Sequence, residues 1–186
     1  MEFIKKLAEF ASQRSALIVL LCVIATSLII AMDLYMGVLS GLPGKTTKSI
    51  GKILGKISEV VVFITVLYYA LREVYRQIKR RQVMLPSRIE KGLMMVIRIA
   101  RFIHPVSGSI VLCLVILHGY ILAVVWPSPE DWAIWSGLLA LALLTVVSVS
   151  GWIMRISQPA LALRKGHRYM GLLLLFLYLC HKVIAD

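Results

Sequence analysis

Apolar residues in this chain come in long blocks rather than in strand-like alternation. Blocks over residues 15–38, 103–126, 132–156 and 161–184 are each long enough for a helix to cross a bilayer, whose core of about 30 Å needs about 20 residues. A fifth block is weaker. Its unbroken apolar core, Val60 to Leu71, has twelve residues, so a span over about 53–75 must take in Lys56 and Glu59. These are i,i+3 neighbours that can pair, and Lys56 can snorkel. Residues 2–13 mix apolar and basic positions and predict a short interfacial helix. Ser87 and Glu90 form an S-x-x-E capping box that starts a helix. From Ser87 to Trp126 is 40 residues, about 60 Å of helix and twice the bilayer core. An interfacial helix over 87–102 and a bend near Pro105 are therefore expected. The pattern predicts an all-α membrane protein, a helical bundle of about five transmembrane helices forming one transmembrane domain over residues 1–186.

Composition agrees. Of 186 residues, 60% are hydrophobic and the mean hydropathy is +0.87, more apolar side chain than a soluble domain of this size can bury. That length accommodates five spans with short connections and is expected to leave no separate soluble domain. An N-terminal signal peptide is not expected, because the first apolar block is long for a signal core and no small-residue cleavage site follows it.

The net charge of +12 does not point to nucleic acid, because the basic residues sit between apolar blocks as topology determinants do. Nine Lys/Arg lie between Arg72 and Arg101. With that cluster in the cytoplasm, the N-terminus is inside, the 127–131 loop outside, the 155–168 connection inside and the C-terminus outside a cell (inner or plasma) membrane. Sixteen Lys/Arg then lie inside and five outside, four of the five being Lys45, Lys48, Lys52 and Lys56. A membrane-embedded connection over 39–56 would relieve that tension. Trp126, Trp132 and Trp135 suit an interfacial aromatic belt.

Cys22, Cys113 and Cys180 lie in apolar blocks with no C-x-x-C-H or zinc spacing, so they read as packing residues. GLPGKTT lacks the first glycine of a phosphate-binding loop, Leu39 standing there. No arrangement suits hydrolytic catalysis, and no catalytic residue is assigned. Asp33 and Glu59 are expected to pair with Lys56 and interfacial water, the alternative being a proton relay at a quinone site.

One pattern stands apart. Arg101 to His118 reads RFIHPVSGSIVLCLVILH, and Arg164 to His181, sixty-three positions later, reads RKGHRYMGLLLLFLYLCH. Both fit R-x2-H-x3-G-x9-H and together hold all four histidines of the chain. Fourteen helical residues turn about 1400°, close to four full turns, and rise about 21 Å. His104 and His118 therefore share one face of the third span, and His167 and His181 one face of the fifth. Gly108 and Gly171 lie on those same faces, where a missing side chain admits something broad and flat. The two spans are parallel, since one span separates them, so His104 faces His167 and His118 faces His181. Two histidine pairs at two depths suit two haems, each iron held at both axial positions.

These twin H-x13-H helices resemble those of transmembrane dihaem b-type cytochromes, above all the ferric reductase-like transmembrane domain family, which includes the haem domains of ferric reductases and NADPH oxidases. LRKGHRYMGLLLLFLYLCH is similar to that family's second haem helix, and the resemblance covers roughly the last 100 residues. It implies two non-covalent haem b groups, with all four histidines on haem iron, and transmembrane electron transfer from an inner to an outer haem. Gly108 and Gly171 would pack on haem. Arg101, Arg164, Lys165 and Arg168 are candidate propionate contacts, guanidinium being suited to carboxylate. The chain departs from the family in lacking a sixth span and a flavin- and NADPH-binding domain. The expected electron donor is then a membrane quinol or a separate reductase, the membrane lipid being its other partner. Two alternatives stand beside this: a haem-bearing anchor subunit of a larger redox complex, and a haem-free transporter or scaffold.

Overall fold

The computed structural model describes residues 2–39, 41–125, 132–156 and 161–185, with side chains from residue 15 onward in those ranges except at 16 and 125. They form five helices: α1 (Glu2–Met36), α2 (Gly44–Arg80), α3 (Ser87–Val125), α4 (Trp132–Ile156) and α5 (Leu161–Ala185). Among the described residues there is no strand, and the fold is all-α as the sequence predicts.

Four helices carry stretches long and apolar enough to cross a membrane: Leu17–Met36, Ser87–Val124, Trp132–Ile156 and Leu161–Ala185. α2 is not among these four; it carries four lysines before its apolar core and a basic run after it. Burial is inverted relative to a water-soluble protein. Among the described residues only Val111, Cys113, Ile121 and Leu144 are buried apolar side chains, whereas Ser15, Thr26, Asp33, Thr47, Ser58, Ser107, Ser109 and Ser150 are buried and polar. Large apolar residues such as Leu28, Leu34, Leu139 and Phe176 face outward. Small polar residues between helices and aliphatic residues outside them are what lipid demands, because association in a bilayer draws on close packing and interhelical hydrogen bonds.

Three boundaries differ from expectation. Residues 2–13 and 87–102 are the opening turns of α1 and α3 rather than separate helices. Pro105 lies inside α3; its missing N–H deprives the Arg101 carbonyl of one bond, but helical geometry continues through it. α2 begins at Gly44, well before the expected 53, because Thr47, Gly51 and Ser58 repeat at helical spacing and are all buried. The Glu90 carboxylate, expected to close a capping box at Ser87, is drawn across to α2 instead. It accepts from Tyr75 Oη at 3.1 Å and pairs with Lys79 Nζ at 2.6 Å. That carboxylate holds the Lys79 ammonium above its usual range. The 127–131 loop, expected outside, and Trp126 lie outside the described residues. Trp132 and Trp135 are exposed at the start of α4.

The chain forms two compact units. The first comprises residues 1–23 and 58–111. In it α2 and α3 run antiparallel, joined by a turn after α2 in which Val83 N–H donates to Ile78 O at 3.1 Å and Gln82 N–H to Lys79 O at 3.2 Å. This is a Schellman ending, with Gln82 at φ 53° where glycine is usual.

The second unit comprises residues 24–57 and 112–186. α4 and α5 pack antiparallel in it, and α2 packs antiparallel on α3, Gly51 against Leu122 and Gly55 against His118. α1 ends at Gly37, φ 63°, whose N–H donates to Asp33 O at 2.7 Å, while Leu39 N–H donates to Asp33 Oδ1 at 2.5 Å.

Candidate functional site

Each histidine is anchored through Nδ1 to the preceding helix of the chain. On α3, His104 Nδ1 lies 3.0 Å from Thr65 O and His118 Nδ1 lies 2.7 Å from Gly51 O, both on α2. A carbonyl can only accept, so Nδ1 carries the hydrogen in both rings. On α5, His167 Nδ1 lies 2.9 Å from Ser150 Oγ and His181 Nδ1 lies 2.9 Å from Ser136 Oγ, both on α4. A hydroxyl could donate or accept, but both are committed as donors. Ser150 Oγ donates to Val147 O at 2.8 Å and Ser136 Oγ to Ala133 O at 3.0 Å. The serine lone pairs therefore receive Nδ1–H in these rings too. The Ala133 backbone also hydrogen-bonds the His181 ring. In a neutral imidazole with hydrogen on Nδ1, the lone pair that binds a metal is on Nε2, and all four rings share that tautomer.

The fourteen-residue spacing of the histidines recurs in their anchors. Gly51 and Thr65 are 14 apart on α2, and Ser136 and Ser150 are 14 apart on α4. Two antiparallel helix pairs, α2–α3 and α4–α5, thus carry one arrangement: ligand-type side chains on the second helix and acceptors at matching depth on the first.

Glycines admit the rings. A Cβ on Gly55 would sit 3.0 Å from His118 Cε1, one on Gly137 3.1 Å from His181 Cε1, and one on Gly151 3.2 Å from His167 Cε1. Gly137 and Gly151 each follow an anchoring serine, so a Ser-Gly pair supplies both the acceptor and the room for the ring. His104 is set differently. Tyr68 tilts against it at 5.4 Å between ring centroids, and Thr65 Oγ1 donates to Ser107 Oγ at 2.8 Å beside it.

Of the two pairs expected from the sequence, His118 and His181 lie in the second unit, within electrostatic reach of each other. His104 belongs to the first unit and His167 to the second. At Gly108 and Gly171 an added Cβ would meet nothing within 4 Å. Arg101, Arg164 and Lys165 are exposed; Arg168 is half-buried, with Nε 3.4 Å from Arg164 O. Among the described residues no three His, Cys, Asp or Glu side chains converge as a compact metal site would require.

Sequence reasoning missed the anchors. The repeated Ser-Gly at 136–137 and 150–151, spaced like the histidines, was the available sign for α4. The α2 acceptors are backbone carbonyls, which any residue supplies, and nothing in the sequence marks them. Asp33 also differs from expectation. Its partners are Tyr120 Oη, which donates to Oδ2 at 2.7 Å, and the Leu39 N–H, rather than Lys56. Burial at the end of α1, two residues along α3 from His118, favours these close partners over a lysine that can reach water. Set against family models, curated proteins and solved structures, the chain matches none.

Proposed function

We propose that this chain is a transmembrane b-type cytochrome that carries electrons across a cell membrane through two non-covalent haem b groups, an inner one on His104 and His167 and an outer one on His118 and His181. One observation carries the reading: all four histidines of the chain donate Nδ1–H to a fixed acceptor on a neighbouring helix, at one fourteen-residue spacing. Such an outer hydrogen bond orients a metal-binding imidazole and raises its basicity. Haem with two imidazole ligands has no open coordination position and supplies one-electron transfer.

The remaining residues suit that role. Gly108 and Gly171 leave room for a flat group along the histidine faces. Arg101, Arg164, Lys165 and Arg168 are cationic near the inner histidines, where carboxylates of the inner haem would need partners. With α2 as a fifth crossing, the positive-inside rule orients the chain with its N-terminus in the cytoplasm and its C-terminus outside. The electron donor is a membrane quinol or a separate reductase.

The same hydrogen bonds would serve histidines that only pack helices, and the two readings part at Nε2. The test is the dithionite-reduced minus air-oxidised visible spectrum of the purified protein, with haem-to-protein stoichiometry. The expected result is two low-spin b haems per chain, one lost in His104→Ala or His167→Ala and the other in His118→Ala or His181→Ala. A colourless protein, or one haem insensitive to His118 and His181, overturns the proposal.

A further inference from the structure

The four anchors are of two kinds. The α3 histidines bond to backbone carbonyls, Thr65 O and Gly51 O, which substitution leaves in place. The α5 histidines bond to side chains, Ser150 Oγ and Ser136 Oγ, with the Ala133 backbone a second partner of the His181 ring that remains in Ser136→Ala. Each proposed ligand pair therefore joins one backbone-anchored ring and one hydroxyl-anchored ring. Each serine is held in a single role, because its hydrogen is engaged by a carbonyl three residues earlier on α4 and only its lone pairs face the ring. Gly137 and Gly151 press the rings to the α4 backbone, which keeps these contacts short.

An imidazole whose Nδ1–H is hydrogen-bonded is the stronger electron donor through Nε2, and second-shell bonding of this kind tunes both metal affinity and reduction potential. We infer that Ser136 and Ser150 are positioning residues that separately set the ligand strength of His181 and His167, so that the two redox centres are tuned independently through α4. The inference rests on the haem reading above. Its sign follows from the chemistry. Loss of the acceptor makes the ring a weaker donor, the oxidised centre is stabilised less, and the midpoint potential rises. Second-shell losses typically weaken metal binding by about 10–100-fold, and a neutral hydroxyl acceptor belongs at the low end.

The experiment is an optical redox titration of the full chain in detergent, with haem stoichiometry, for the wild type, Ser136→Ala, Ser150→Ala and the matching threonine variants. Ser136→Ala is expected to raise only the midpoint of the centre that His118→Ala abolishes, and Ser150→Ala only the midpoint of the centre that His104→Ala abolishes. In each case haem binding weakens about 10-fold, and threonine, which keeps the hydroxyl, restores the wild-type midpoint. Ser136→Cys and Ser150→Cys preserve volume with a weak acceptor, and give the same test where an alanine variant fails to accumulate. Two haems with unchanged midpoints in the alanine or cysteine variants overturn this inference and leave the haem reading standing. Equal shifts of both centres in either variant overturn the one-serine, one-centre assignment. A wild-type protein without haem overturns both.

Discussion

Gly55→Ala is the sharpest test of how His118 is held. The new Cβ would lie 3.0 Å from His118 Cε1 and 3.1 Å from Nδ1. Carbon–carbon contacts settle at about 3.5–4.0 Å, so the ring must retreat by roughly 0.5–1 Å. It has little freedom to do so, because Nδ1 is bonded to Gly51 O at 2.7 Å, one helical turn earlier on α2. A retreat of that size takes the bond past the roughly 3.2 Å at which N–H···O geometry fails. Overpacking costs about 1–3 kcal/mol and the weakened hydrogen bond about 1 kcal/mol more. Up to about 1 kcal/mol returns as the helix propensity of alanine over glycine. The net expectation is a destabilisation of about 1–3 kcal/mol, together with, on the proposed haem reading, loss of the His118–His181 centre while the other persists. Thermal unfolding in detergent reads the first effect and haem stoichiometry the second. A Gly55→Ala protein as stable as the wild type, with two haems and unchanged midpoints, would refute the placement of His118 against Gly55.

Gly108→Ala and Gly171→Ala make the opposite case, since an added methyl meets nothing within 4 Å at either site. Both should hold or gain about 0.5–1 kcal/mol in the haem-free protein through helix propensity, yet lower haem occupancy on reconstitution; unchanged occupancy would remove these glycines from the haem faces. Tyr120→Phe removes the 2.7 Å bond to the buried Asp33 carboxyl and should lower stability in denaturation experiments. Stability within about 0.5 kcal/mol of the wild type would mean that this tie between α1 and α3 is not made. Gln82→Gly relieves a left-handed residue at the end of α2 and should stabilise by about 0.5–1 kcal/mol, read as a higher midpoint of thermal unfolding; a lower midpoint would discount the Schellman ending.

Helix type was legible in the residues themselves. Long apolar blocks have one stable form in a bilayer, because every backbone polar group must be satisfied within its own segment, and that argument needs no tertiary information. The duplicated R-x2-H-x3-G-x9-H pattern was legible for a similar reason, since helical pitch alone places His104 with His118 and His167 with His181 on common faces. Helix ends were less legible. The early start of α2 depends on Thr47, Gly51 and Ser58 being buried against neighbouring helices, which local propensity among lysines and glycines does not reveal. The tautomer of every histidine was decided by tertiary structure alone. Two anchors are backbone carbonyls that no side chain announces, and the other two are serines whose meaning appears only when α5 lies beside α4. Sequence along one helix specifies which side chains share a face; which atom of a ring is left to bind depends on what the next helix brings to its other side.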